Sequence, residues 1–131
     1  QLHQLRGRVG RGEKQGTCIL LFKDGLSKNA VKRMPESINF ALKENNLHID
    51  DVKLVIAHQA NRRILEACAK RMNLPMEKMF INIHKYGNTT AATIPIAICE
   101  ALDEGKFSKG DIIILTAFGA GYTWASAVIR W

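Results

Sequence analysis

The sequence predicts an α/β fold, a mixed sheet packed by helices, with elements in the order α-β-α-β-α-β-α-β-β. Two observations lead there. Short apolar runs rich in strand formers alternate with longer stretches of helical periodicity. Two of the strand-to-helix connections also carry compact polar clusters, where sites of open α/β sheets are usually built. Length and composition agree: 131 residues, 47% hydrophobic and 24% charged, suit one domain able to bury about two thirds of its unfolded surface. No apolar run approaches the ~20 residues that cross a bilayer. Residues 1–15 are polar and basic where the apolar core of a leader would stand, so no membrane partner and a cytoplasmic location are expected.

The first helix is expected within residues 1–14, QLHQLRGRVGRGEK, and the first strand at Thr17 to Phe22, bounded by Gly16 and by Asp24-Gly25. Ser27 is placed to cap a second helix with the apolar stripe Ala30, Val31, Met34, Ile38, Ala41 and Leu42. Pro35 falls inside it and predicts a kink or a boundary near Met34. A turn at Asn45-Asn46 leads to the buried run Leu54 to Ala57, then to the polar corner His58-Gln59-Ala60-Asn61. Asn61 is placed to cap the next helix, marked by Ile64, Leu65, Cys68, Ala69 and Met72.

The apolar run Met79 to Ile83 predicts another strand. Tyr86 to Ala92, YGNTTAA, then bridges to a helix over Ala91 to Ala101 that is apolar on nearly every side and so is expected in the middle of the core. Gly105 is the expected residue just past its end. Asp111 to Thr116 and Tyr122 to Trp131 predict two antiparallel strands joined by the turn Phe118-Gly119-Ala120-Gly121.

Cys18, Cys68 and Cys99 are odd in number, widely spaced and set among apolar residues, a pattern of reduced core thiols rather than disulfides or a zinc site. No metal and no cofactor are expected. The net charge of +7 favours an acidic partner, either nucleic acid, an acidic protein or a phosphorylated ligand, with a merely basic solvated surface as the alternative. His58, at the carboxyl end of a buried strand, is the first candidate for chemistry. A satisfied His at a strand end is the rival reading.

Three motifs in order, His58-Gln59-Ala60-Asn61, Tyr86 to Ala92 and Ala117 to Trp124, resemble the C-terminal half of β-ketoacyl-acyl-carrier-protein synthase III, a thiolase-fold condensing enzyme. The resemblance runs from about Lys28 to Trp131. It implies a thiolase-like layered half and acyl transfer in fatty acid biosynthesis. By resemblance, His58 and Asn88 belong to a Cys-His-Asn constellation. There they are two neutral donors aimed at the thioester oxygen as malonyl thioester loses CO₂. The family carries its nucleophilic Cys in the N-terminal half, and Cys18, Cys68 and Cys99 match none of its context, so no condensation is expected from this chain alone. The resemblance also makes Gly119, Ala120 and Gly121 an oxyanion turn, in which Ala120 stands where Gly is frequent, and a positive φ at Ala120 would strain it. It places Arg63, with Arg62 beside it, against the acidic carrier protein. Acyl carrier protein, CoA or acyl thioesters and a second subunit in a homodimer are the implied partners.

Residues 4–11, QLRGRVGR, resemble motif VI of superfamily 2 helicases, especially the RecG type. That resemblance implies contacts from Gln4, Arg8 and Arg11 to nucleotide phosphates. No GxxxxGK[ST] pattern occurs, so ATP hydrolysis is not expected. The expectation is a single α/β domain over 1–131, joined near residues 24–27 from a helicase-like piece, 1–23, and a synthase-like piece, 28–131. An inactive folded chimera, or a remnant that binds nucleic acid, are the alternatives.

Overall fold

The computed structural model describes residues 25–131. The first expected helix and strand, with Gln4, Arg8, Arg11 and Cys18, lie outside the described residues. Helix α1 spans Gly25–Glu44 and strand β1 spans Val52–Ala57. Helix α2 (Arg62–Arg71), the short strand β2 (Met79–Phe80), the one-turn helix α3 (Ile83–Tyr86) and helix α4 (Thr93–Asp103) follow. The hairpin of β3 (Ile112–Gly119) and β4 (Thr123–Arg130) completes the chain. The sheet is mixed and four-stranded in the order β2-β1-β3-β4. β1 runs parallel to β2 and β3, and β4 returns antiparallel to β3.

Alternation along the strands divides the core between the two faces of the sheet. On one face, Val55, Ala57, Ile112, Ile114 and Phe118 pack against Ala30, Met34, Ile38 and Leu42 of α1 and Leu65, Cys68 and Ala69 of α2. On the other, Leu54, Ile56, Phe80 and Ile113 meet Ala97 and Ala101 of α4. Ile38 and Ile56 are fully buried, each worth about 1.5–3 kcal/mol.

Several expectations change in the folded chain. α1 continues unbroken across Pro35, because Met34 and Ile38 on either side bury in one seam and offset the ~3 kcal/mol that an interior proline costs. Ser27 therefore lies within the first turn of α1 and is not its cap. The apolar run from Met79 yields a strand of only two residues, since Ile83 already begins α3. The start of the expected 91–101 helix forms a 3-10 turn, Thr90–Ala92, before α4. α4 buries Thr93, Ala97 and Ala101 on one side only, while Pro95, Cys99 and Leu102 are exposed. It covers a sheet face rather than filling the middle of the core. Cys99 is thus no core thiol, whereas burial pushes the Cys68 thiol up to about 11.

Helix ends set the chain's direction. Asn46 (φ 54°) after α1, Asn73 (φ 51°) after α2 and Gly105 (φ 65°) after α4 all turn left-handed. In each case the next residue's N–H returns to a carbonyl in the last turn: Leu47 to Leu42, Leu74 to Ala69 and Lys106 to Ala101.

Candidate functional site

Because β1, β2 and β3 are parallel, their carboxyl ends share one edge of the sheet, and the three sequence motifs follow those ends in turn. His58 follows β1, the Asn82 to Thr93 segment follows β2, and Gly119 to Gly121 follows β3. Topology alone therefore brings together segments separated by about thirty residues at a time. An edge of this kind is where open α/β sheets place their ligands.

His58 is held by its backbone, with its N–H donating to Thr116 O at 2.8 Å and extending the β1–β3 ladder beyond Ala57. Its ring is half-buried, and this loss of solvation lowers its pKa from the ordinary 6.5, so the imidazole is neutral at pH 7. Nδ1 lies 2.6 Å from Thr93 Oγ1. Nε2 has no hydrogen-bond partner among the described residues.

Gln59, only 1% exposed, ties the corner to the neighbouring strand. Its Nε2 donates to Ala57 O at 2.9 Å and Phe80 O at 3.1 Å, and its Oε1 accepts from Asn82 N. Asn82 in turn donates through Nδ2 to Glu100 Oε2 at 2.7 Å, and Glu100 also pairs with Lys85. Hydrogen bonds from Lys85 and Asn82 hold the Glu100 carboxyl below its usual range. The loop after β2 is thereby fastened both to β1 and to α4.

Asn88 sits half-buried just after Gly87, whose φ of 68° and ψ of −163° belong to a region that only glycine enters readily. Its Oδ1 accepts from Thr90 N at 3.0 Å, and Nδ2 has no hydrogen-bond partner among the described residues. The carbonyl of Thr90 receives the Thr93 N–H and also lies 3.0 Å from Thr93 Oγ1. A continuous series of contacts, Asn88 to Thr90 to Thr93 to His58, therefore links the two candidate side chains. Thr89 Oγ1 beside them is buried without a partner among the described residues.

In the turn after β3, positive φ falls on Gly121 (76°) and Tyr122 (55°), not on Ala120, so Ala in place of Gly brings no strain there. Asn61 caps α2 as expected, its Oδ1 accepting from Arg63 N at 2.9 Å. Arg62 and Arg63 are both exposed, but they differ: Arg62 pairs with Glu66 at 2.7 Å, while the Arg63 guanidinium enters no ion pair among the described residues. Surface hollows beside α1 and beside α4 include neither His58 nor Asn88. Thr93 and Asn82 lie outside the three motifs, and Gln59 and Thr90 lie within them without having been given a role. The one available signal was the density of small hydroxyl residues after Asn88, and its meaning depends on the 3-10 turn that brings Thr93 back toward His58.

Residues 42–131 match the family profile described as 3-oxoacyl-[acyl-carrier-protein (ACP)] synthase III C terminal. Curated relatives include the β-ketoacyl-[acyl-carrier-protein] synthase III of Roseiflexus castenholzii, 55% identical over 104 residues, or 79% of this chain and 32% of the relative. That of Koribacter versatilis is also 55% identical over 104 residues, or 79% of this chain and 31% of the relative. A solved structure, 3-oxoacyl-[acyl-carrier-protein] synthase III from Aquifex aeolicus, aligns with a TM-score of 0.81 and 48% identity, over 82% of this chain and 35% of that one. The chain thus spans about a third of the length of these relatives. The parallel strands with their polar corners and the match over 42–131 lead to one statement: this chain belongs to the 3-oxoacyl-[acyl-carrier-protein] synthase III C-terminal family, with a thiolase-like α/β fold.

Proposed function

We propose that the chain is the His- and Asn-bearing half of a synthase III-type condensing enzyme of fatty acid biosynthesis, one that decarboxylates malonyl-acyl carrier protein and joins it to an acyl group. The observation that supports this reading is the hydrogen-bonded series from Asn88 through Thr90 and the Thr93 backbone N–H and side chain to His58, which fixes two polar side chains at the carboxyl edge of the sheet. Loss of CO₂ leaves an enolate whose oxygen becomes negative, and preorganised neutral donors lower that charge without reorganising. Asn88 offers Nδ2 and His58 offers Nε2. The turn at Gly119, Ala120 and Gly121 would serve the acyl oxyanion through backbone N–H groups. Arg63, without an ion pair among the described residues, would meet the acidic carrier protein, with Arg62 a lesser contributor because Glu66 already engages it.

The acyl group needs a nucleophile, and Cys68 does not supply one: its thiol is buried and its pKa raised to about 11. We assign that role to a cysteine on another part of the enzyme. The test mixes this chain with the N-terminal half of a synthase III relative and follows CO₂ release from malonyl-acyl carrier protein. The mixture should release CO₂ while this chain alone should not, and His58→Ala or Asn88→Ala in the mixture should cut the rate about 10²- to 10³-fold. A folded mixture that leaves malonyl-acyl carrier protein intact would sink the reading.

A second reading rests on the basic stretch of residues 4–11 and the net charge of +7: nucleic-acid affinity carried by a helicase-like remnant. Gln4, Arg8 and Arg11 would then contact phosphates. Such binding must weaken steeply as salt rises, and a flat salt response excludes it.

A further inference from the structure

The geometry points to Thr93 as the residue that sets the tautomer of His58, its hydroxyl donating to Nδ1 so that the neutral ring carries its proton on Nε2. This deepens the reading above, because a neutral imidazole donates only from the nitrogen that bears hydrogen. The Thr93 hydroxyl has one hydrogen and two acceptors in reach, His58 Nδ1 at 2.6 Å and Thr90 O at 3.0 Å. Its direction decides which ring nitrogen is bare.

Two observations favour Nδ1. The carbonyl of Thr90 is already served by the Thr93 N–H and is not left unsatisfied when the hydroxyl turns away. Nδ1, in contrast, has Thr93 Oγ1 as its one partner among the described residues. Thr93 is itself 3% exposed at the first position of α4, so water does not readily take its place. Thr93 is thus a positioning residue. It acts through His58, and its backbone N–H to Thr90 O, together with the Thr90 N–H to Asn88 Oδ1, ties it to the other donor.

The test is the nitrogen spectrum of the histidines in the ¹⁵N-labelled chain, recorded well above the ordinary His pKa so that the rings are neutral. The His58→Asn variant identifies the His58 signals by their loss. In the wild-type chain, Nε2 should show the shift of a protonated nitrogen and Nδ1 that of a bare one. Thr93→Ser should keep this pattern. Thr93→Val should move both nitrogens toward the averaged values of the exposed His84, and Thr93→Ala gives the same reading if the valine variant does not fold. A wild-type proton on Nδ1, or a pattern unchanged in a folded Thr93→Val or Thr93→Ala chain, overturns the proposal. No acyl substrate enters the experiment, so its failure is distinct from a failure of the condensing reading, which the CO₂ assay decides.

Discussion

Gln59 illustrates how much of this corner depends on single side chains. It is an uncharged polar group with almost no exposure, and it satisfies two carbonyls and one N–H from β1, the end of β2 and the following loop. Gln59→Leu preserves much of the volume but strands those groups, each costing about 1–3 kcal/mol when buried. Urea unfolding should show a loss of about 3 kcal/mol with little change in slope, and a variant as stable as the parent would refute the staple. His58 sets a pH dependence. Its folded pKa lies below the unfolded 6.5, so as pH falls through that value the unfolded chain takes up a proton that the folded chain still refuses. Stability therefore falls as pH drops through 6.5 and keeps falling until the folded ring also takes up its proton. His58→Gln should flatten that slope, and equal slopes in the two chains would count against the burial effect.

At the scale of elements, caps and turns do the positioning. Asn61 satisfies the Arg63 N–H at a helix start that carries two arginines and no acidic residue, where the macrodipole is unopposed. Asn61→Ala should cost about 1 kcal/mol, read as a lower thermal midpoint, and should loosen the His58 to Arg63 segment as faster amide exchange. Unchanged stability and exchange would mean that packing by Leu65 and Cys68 alone fixes α2. The cap and Gly105 were legible from sequence, because short-range hydrogen bonding and left-handed φ are local properties. The continuity of α1 through Pro35 was not. Its local cost is outweighed by burial against strands far along the chain.

Across the whole molecule, large apolar side chains stay exposed on both faces of the sheet among the described residues. α4 exposes Pro95, Cys99 and Leu102, with Tyr86 close by at the end of α3, and β4 exposes Trp124 with the Arg33 guanidinium 5.0 Å over its ring. Large exposed apolar residues drive association. Sedimentation at rising concentration should give masses above the monomer's 14.6 kDa, and Leu102→Lys combined with Tyr86→Lys should return the monomer. A parent chain that stays monomeric throughout would show the patch to be inert. No helix among the described residues is long and apolar enough to cross a membrane.

The sequence by itself determined the alternation of strands and helices, the α2 cap, the β3–β4 hairpin and the three motifs that place the chain in its family, because periodicity, turn chemistry and motif wording are written locally. Tertiary structure decided what depends on distant partners. It exposed Cys99 while burying Cys68, engaged Arg62 with Glu66 while leaving Arg63 without an ion pair among the described residues, and brought Thr93 within 2.6 Å of His58. Parallel pairing gathers the strand ends at one edge, and which side chains meet there follows from register and from the 3-10 turn before α4, neither of which has a local signature.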